Sequence, residues 1–229
     1  ESVRAFLADK APLTELRAGY ERAELDDDLW AGLAQLGVVG LLAGEEHGGA
    51  GMGMVDAAVV LEELGRAVCA APYSSSAIGA MALADAPLLP RLAEGSVIGT
   101  VATFEEGARY SWRAPTTRAT ADGAAWRLDG LKVHVPDATV AGVVLVTARD
   151  ADDRLGLFAT EAFRAEATPT VDGSRKQGRV VLDAATARRV EVDGDVEHAV
   201  ARTLDRLGVA AAVDGVGAAQ RALELAVEY

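Results

Sequence analysis

The sequence is short of several residue types, and each shortage excludes a class of protein. It contains one cysteine, Cys69, so an internal disulfide framework and a multi-cysteine zinc site are excluded. No run of about 18 apolar residues occurs, which argues against a membrane-spanning helix. The first residues lack the basic and apolar segments of a signal peptide, so we expect a cytoplasmic protein.

Positive charge is also scarce. Lysine and arginine together number 22 against 35 aspartates and glutamates, a formal net charge of −13. That sign disfavours a protein that grips nucleic acid by its phosphates, so we expect no nucleic-acid partner. The three histidines, His47, His134 and His198, are far apart in sequence and lack the spacing of metal ligands, so we expect no metal site.

The residues that are abundant predict a folded chain with two kinds of structure. Half of the 229 residues are hydrophobic, enough for the core of one or two domains. Over the first 95 residues, which carry 15 acids and 6 bases, apolar residues recur with a helical period. A glycine-rich segment at 44–53 predicts a loop, and Ser74–Ser76 are interpreted as a helix cap. Helices are predicted over 26–37, 55–68 and 74–93.

From about residue 97 the apolar period changes to two. Short β-rich runs follow one another, separated by turn signals such as Asp129-Gly130, which is the pattern of a sandwich or barrel. A helical pattern returns near Ala199 and continues to Tyr229. Strands are predicted over 97–102, 117–120, 125–128, 131–135, 143–148, 155–158 and 179–182.

This order of patterns predicts an α+β multidomain chain. We expect an N-terminal all-α domain over 1–95 and a middle antiparallel β-sandwich or barrel domain over 96–194. Residues 195–229 would form the first part of a C-terminal helical bundle. The last helix is apolar with no partner helix after it, so we expect this bundle to be incomplete.

Several motifs in the same order resemble the acyl-CoA dehydrogenase family. Each motif alone is weak, but together they cover essentially the whole chain. They are Trp30-x-x-Leu33-x-x-Leu36-Gly37, Gly44-Glu45-Glu46-His47-Gly48-Gly49-Ala50-Gly51, Leu61-Glu62-Glu63-Leu64-Gly65-Arg66, Trp126-Arg127-Leu128-Asp129-Gly130-Leu131-Lys132, and the segment 217–229.

The resemblance implies an oxidoreductase of lipid metabolism. It implies FAD with its ring against the β domain, an acyl-CoA substrate held between the β domain and the helices, and electron-transfer flavoprotein as the electron acceptor. The family's base is a carboxylate of the C-terminal bundle, expected beyond Tyr229. Glu224 and Glu228 do not match that position, so no catalytic residue is assigned.

The cofactor-binding residues implied by the resemblance are Thr103, His134 and Pro136. The family typically has Thr-Glu-Pro followed by a Gly-Ser-Asp turn. In this chain the segment 103–110 stands in their place, and only Thr103 is clearly retained. The family's aromatic-Ile-Thr strand falls on His134-Val135-Pro136. Proline has neither a hydroxyl nor an N–H, so the contact to the flavin N5 would be lost at Pro136. Two interpretations of His134 stay open. Its imidazole stacks on the flavin ring, or it is a histidine at a strand end with no role in binding.

Three functions therefore stay open. The first is an FAD-dependent acyl-CoA dehydrogenase protomer, and the second is a non-catalytic or half-site subunit of a heteromeric, actinobacterial-type enzyme. In the second case a partner chain would share or hold the FAD. A flavin oxidase or monooxygenase on the same fold is the third. Homo-oligomer and hetero-oligomer stay open as well, as do steroid, branched and straight acyl chains.

Overall fold

The structure is a computed structural model that describes residues 2–13, 25–107 and 111–228. Its first region is helical, as the apolar period predicts. The glycine-rich loop contains a single 3₁₀ turn, Glu45–His47. The helices are α1 (Ser2–Lys10), α2 (Asp27–Gln35), α3 (Met54–Arg66), a π-helix (Ser74–Ala80), α4 (Met81–Leu83) and α5 (Leu89–Ala93).

Helix α2 shows why the chain is helical here. The Asp26 carboxylate accepts a hydrogen bond from the Leu29 N–H at 3.0 Å, which caps the first turn. Gly37 follows the helix with a φ of +75°, a conformation that glycine adopts without strain. Leu29 and Trp30 are buried, and the Trp30 indole donates to the Gly95 carbonyl at 2.9 Å. The helix predicted over 26–37 is confirmed.

The serines at 74–76 do not cap a helix; that expectation is wrong. They begin the π-helix, and Ser75 and Ser76 are buried. The Ser76 hydroxyl accepts from the Gly99 N–H at 3.1 Å, and Ser75 lies 2.6 Å from the Asp137 carboxylate. The serines therefore fix this helix to two points of the β region. A π-helix of seven residues is unusual, and such segments occur often at functional sites.

The middle region is a sheet of seven strands that closes on itself. Strands β2, β3, β7, β5 and β4 pair in a ring, while β1 pairs with β4 and β6 with β7. Most pairs are antiparallel, as expected, but β1–β4 and β2–β4 are parallel. The strands are β1 (Gly99–Ala102), β2 (Arg118–Asp122), β3 (Ala125–Pro136), β4 (Val143–Arg149), β5 (Leu155–Thr160), β6 (Arg164–Thr168) and β7 (Gln177–Arg189).

The turn predicted at Asp129-Gly130 is wrong. Strand β3 continues through both residues, because β7 pairs with it on both sides of a bulge between Leu128 and Gly130. A Cβ on Gly130 would lie 2.5 Å from the Thr117 hydroxyl oxygen, so glycine permits a close approach of two chain segments here. Strand β6 was not predicted.

A long helix, α6 (Val196–Glu228), follows the sheet and packs across α3. The two helices approach closely where Gly65 faces Asp214 and Gly217 faces Glu62. A Cβ on either glycine would lie about 2 Å from a backbone oxygen of the other helix. Ala210 of α6 is part of the hydrophobic core of the first helices. The C-terminal helical prediction is confirmed, and no helix in the described ranges is long and apolar enough to cross a membrane.

Candidate cofactor groove

A groove of about 290 Å³ lies on the β region, close to the residues predicted to bind the cofactor. One wall is the segment 104–107 after β1, and the other comes from β3, β6 and β7. His134 is the one of the three predicted cofactor residues that lines it. Residues 108–110, which complete the altered turn motif, lie outside the described residues. The lining residues are Phe104, Glu105, Glu106, Gly107, Val133, His134, Thr168 and Arg179.

His134 owes its position to a β-bulge. The register between β3 and β7 shifts between Lys132 and Val135, and His134 has a φ of +54°. Such a backbone conformation is uncommon for a residue other than glycine, and bulges of this kind re-aim side chains. Val135 is fully buried, whereas His134 is exposed at the groove. The imidazole is therefore presented to whatever occupies the groove.

Thr103 and Pro136 lie close to the groove in sequence but do not line it. Thr103 is buried directly after β1, next to Phe104, whose carbonyl accepts from the Val133 N–H at 2.9 Å. The Pro136 carbonyl accepts from the Thr100 hydroxyl at 2.6 Å. Proline has no N–H to donate, and its one polar group already has a partner inside the protein.

A buried ion pair fixes the wall of the groove to β3. The Lys132 ammonium lies 2.7 Å from the Glu105 carboxylate, and both side chains are almost fully buried. The same carboxylate accepts from the N–H and hydroxyl groups of Thr116 and Thr117 at 2.5 to 3.0 Å. Five donors therefore surround Glu105, so that its charge is matched despite its burial.

The environment of this pair shifts both pKa values downward. Lys132 and the two threonines outweigh the effect of burial and lower the pKa of Glu105 to about 2. Burial lowers the pKa of Lys132 to about 8, although Glu105 opposes the shift. Between about pH 2 and pH 8 both groups are charged, so the ion pair is intact at neutral pH.

Arg179 of β7 brings an unused hydrogen-bond donor to the same groove. Its Nε is buried and has no hydrogen-bond partner among the residues that the structure describes, and its terminal nitrogen is 3.8 Å from the Glu106 carboxylate. A buried donor without a partner costs free energy unless a ligand or water satisfies it. Sequence reasoning did not identify Arg179 or the pairing of Glu105 with Lys132. Lys132, one of only three lysines and placed between apolar residues, was the one available signal.

A second polar cluster joins three regions of the chain. The Ser75 hydroxyl has one proton but two acceptors, the Pro72 carbonyl at 3.0 Å and the Asp137 carboxylate at 2.6 Å. Burial raises the pKa of Asp137, and the hydrogen bond from Ser75 opposes that shift. Nearby, Arg175 binds both carboxylate oxygens of Asp214 on α6 at 2.6 and 2.7 Å. The cluster thus ties the π-helix, the end of β3 and α6 together.

Glu224 of α6 is occupied by a different partner. The Arg66 guanidinium binds both of its carboxylate oxygens, at 2.7 and 2.8 Å. Hydrogen bonds from Arg66, followed by those from Gln220 and Arg221, lower the pKa of Glu224 to about 2. A carboxylate held in this way is a weak proton acceptor.

The groove suits a planar ring that carries hydrogen-bond acceptors at its edge. Arg179 supplies a cationic donor, and His134 supplies an aromatic face. An isoalloxazine ring has this character. Pro136 offers it no hydrogen bond.

A family model and a curated relative of this chain both carry the description acyl-CoA dehydrogenase. Residues 1–95 match the family model "Acyl-CoA dehydrogenase, N-terminal domain". Acyl-CoA dehydrogenase IpdE2 of Mycolicibacterium smegmatis is 31% identical over 235 residues, which cover 100% of this chain and 62% of the relative.

Solved structures show the same fold. The structure titled "Tcur3481-Tcur3483 steroid ACAD G363A variant" is 34% identical with a TM-score of 0.84, covering 99% of this chain and 64% of that chain. The ChsE4-ChsE5 complex from Mycobacterium tuberculosis is 24% identical with a TM-score of 0.83, covering 99% and 64%. An acyl-CoA dehydrogenase complexed with FAD from Bacillus anthracis is 22% identical with a TM-score of 0.87, covering 100% and 42%. The chain spans less than two thirds of the length of each of these proteins.

Proposed function

The chain belongs to the acyl-CoA dehydrogenase family, and we propose that it is a flavoprotein subunit for the α,β-dehydrogenation of an acyl-CoA thioester. The observation that carries this proposal is the groove in which His134 is presented and the Arg179 Nε lacks a partner. FAD is the cofactor that such a site would take within this family.

Two residues would hold the flavin, and a third would support the groove wall. His134 would lie against the ring, Arg179 would donate to acceptors at its edge, and Thr103 would support the wall from behind. Bound FAD would supply the acceptor for the β-hydride of the substrate. The positive charge of Arg179 would stabilise negative charge on the flavin atoms that it contacts. The Glu105–Lys132 pair would hold the groove wall, the segment 104–107, in place.

Removal of the α-proton requires a base, and Glu224 is poorly suited to that role. Glu224 is held by Arg66, which lowers its affinity for a proton. The role of this chain in the proton step would therefore be limited to positioning, and we assign it no catalytic residue.

A second function is favoured by Pro136. Its carbonyl is taken by Thr100 and it has no donor, so the strand end offers no hydrogen bond to a flavin N5. This favours a non-catalytic or half-site subunit that completes the site of a related chain. The ChsE4-ChsE5 complex, a neighbour of the same fold that is named for two chains, supports this function. A flavin oxidase or monooxygenase on this fold is the least supported reading.

The remaining assignments extend this proposal. The substrate would be an acyl-CoA, electrons would pass to electron-transfer flavoprotein, and the subunit would act in the cytoplasm as part of an oligomer. Residues 1–95, 96–194 and 195–229 would be its three domains. The acyl chain is left open among steroid, branched and straight forms.

Purification with and without a co-expressed partner chain of the family tests the two functions. We expect flavin absorbance in the isolated protein, lost in Arg179→Gln and His134→Ala but kept in Arg164→Gln, a control arginine on β6 whose partner is Glu166. Reduction of ferrocenium would then be measured with acyl-CoA substrates. Flavin that appears only in the co-expressed complex would favour the half-site function. Flavin binding that is unaffected by Arg179→Gln and His134→Ala would contradict the assignment of this groove.

A further inference from the structure

We propose that a second groove, beside the first turns of α6, binds a phosphate-bearing anion. It shares no lining residue with the cofactor groove and measures about 380 Å³, within the range of roughly 300–1,000 Å³ typical of small-molecule sites. Its walls are the loop 82–86, the segment 191–193 and one face of α6. Arg202 and Arg206 lie on that face.

These two arginines differ from every other arginine in the described ranges. Each of the others lies within 4 Å of a carboxylate oxygen, as is typical of ion pairs in proteins. Arg202 and Arg206 have no such partner within the described part of the chain. The paired arginines are Arg4, Arg66, Arg91, Arg113, Arg118, Arg127, Arg149, Arg154, Arg164, Arg175, Arg179, Arg188, Arg189 and Arg221.

The exception is notable because acids outnumber bases in this chain by 35 to 22. Two arginines four residues apart on a helix repel each other, and His198 precedes Arg202 by the same interval on the same wall. An anion between the two guanidinium groups would replace this repulsion with attraction. Arginine is the side chain best suited to phosphate, which it binds through two parallel hydrogen bonds.

The acids of the groove do not neutralise the two arginines directly. Asp85 is held by both terminal nitrogens of Arg188. Glu191 and Asp193 also line the groove, but neither lies within ion-pair distance of Arg202 or Arg206. If no ligand binds, the charges of the two arginines are offset only by these two acids, at longer range and through intervening water.

The phosphate could come from two sources. One is coenzyme A, which carries a diphosphate group; this source rests on the proposed function. The other is a free organic phosphate, which does not. The shared chemistry is a diphosphate group, so inorganic pyrophosphate is the appropriate first probe.

Isothermal titration calorimetry with pyrophosphate tests the site. We expect saturable binding that weakens about tenfold or more in Arg202→Gln and again in the Arg202→Gln/Arg206→Gln double variant, since each removes a charge-assisted hydrogen bond. Arg164→Gln, which removes a paired arginine, should leave the affinity unchanged. Glu191→Gln should tighten binding, because it removes a competing negative charge from the wall. Circular dichroism of each variant would verify that it is folded.

A second titration, with coenzyme A, separates the sources. Coenzyme A binding with the same sensitivity to the double variant supports the site and identifies the coenzyme as its ligand. Binding of pyrophosphate alone supports the site with a free phosphate as ligand. Absence of saturable pyrophosphate binding, or binding that the double variant does not change, would overturn the proposal. Pyrophosphate binding by a protein that carries no flavin, either alone or with a co-expressed partner chain, would contradict the proposed function and leave this site standing.

Discussion

The centre of the β region and the interface between α3 and α6 use charge in opposite ways. In the β region, Lys132 and Glu105 are buried together and surrounded by threonine donors. At the helical interface, close contact is made by Gly65 and Gly217, and the charged groups Arg66 and Glu224 lie nearer to solvent. The comparison indicates that charge is structurally critical in the first region and secondary in the second.

The strongest test of this comparison is to remove one partner of the buried pair. Lys132→Met should lower the free energy of unfolding by about 3–5 kcal/mol, because it leaves the Glu105 carboxylate buried without its cation. Urea denaturation would measure the change. Lys10→Met, which removes an exposed lysine, should change it by less than about 0.5 kcal/mol. A small effect of Lys132→Met would mean that the threonines alone satisfy Glu105.

The helical interface should respond instead to added volume. Gly217→Ala would place a Cβ 2.1 Å from the Glu62 carbonyl oxygen, and we expect a loss of about 3 kcal/mol, at the upper end for over-packing. Gly215→Ala, two residues away with no atom within 4 Å of the new Cβ, should stabilise the helix by about 0.5–1 kcal/mol. Equal effects of the two variants in thermal or urea unfolding would disprove close packing at Gly217.

Acid should weaken the β region through Glu105. Its pKa in the folded protein is about 2 against an ordinary value of 4.5, so its contribution is complete above pH 4.5 and is lost as the pH falls towards 2. Between about pH 5 and pH 3 the wild type should lose about 2 kcal/mol relative to Glu105→Gln. Urea denaturation of both proteins across this range measures the difference. A constant difference would show that the Glu105 pKa is not lowered.

Removing charge from the helical interface should have the smallest effect. Glu224→Gln should lower the free energy of unfolding only slightly, because the pair with Arg66 is partly exposed, and the loss should decline at high salt. Thermal unfolding at low and high salt, with Glu228→Gln as the control, measures it. A larger cost that persists at high salt would place the interface in the same class as the buried pair.

The sequence predicted the order of the regions well because apolar periodicity reports local structure. Helix α2, with its Asp26 cap and Gly37 end, is the clearest case. The Asp129-Gly130 turn failed because turn chemistry is local, whereas β7 pairs with β3 on both sides of that dipeptide. The π-helix was missed for a similar reason. Its serines are engaged by Gly99 and Asp137, contacts that only the tertiary fold creates.

The candidate groove was predictable only in part. His134 was identified from the resemblance, and its place at the groove depends on a bulge that a single sequence does not reveal. Arg179 resembles any other arginine of a strand until its unpartnered Nε is seen. Likewise, Arg202 and Arg206 stand out only after the partners of the other arginines are known.

The contact of Gly65 with α6 also determines when the first helices can finish folding during synthesis. Their core includes Ala210, and the α3 contact extends to Gly217. At about 5–20 residues per second, the roughly 150 residues between Gly65 and Gly217 take the ribosome about 8–30 s to add. For that interval the newly made helices expose the surface that α6 will cover. Protection of nascent chains by chaperones would therefore matter most before α6 emerges.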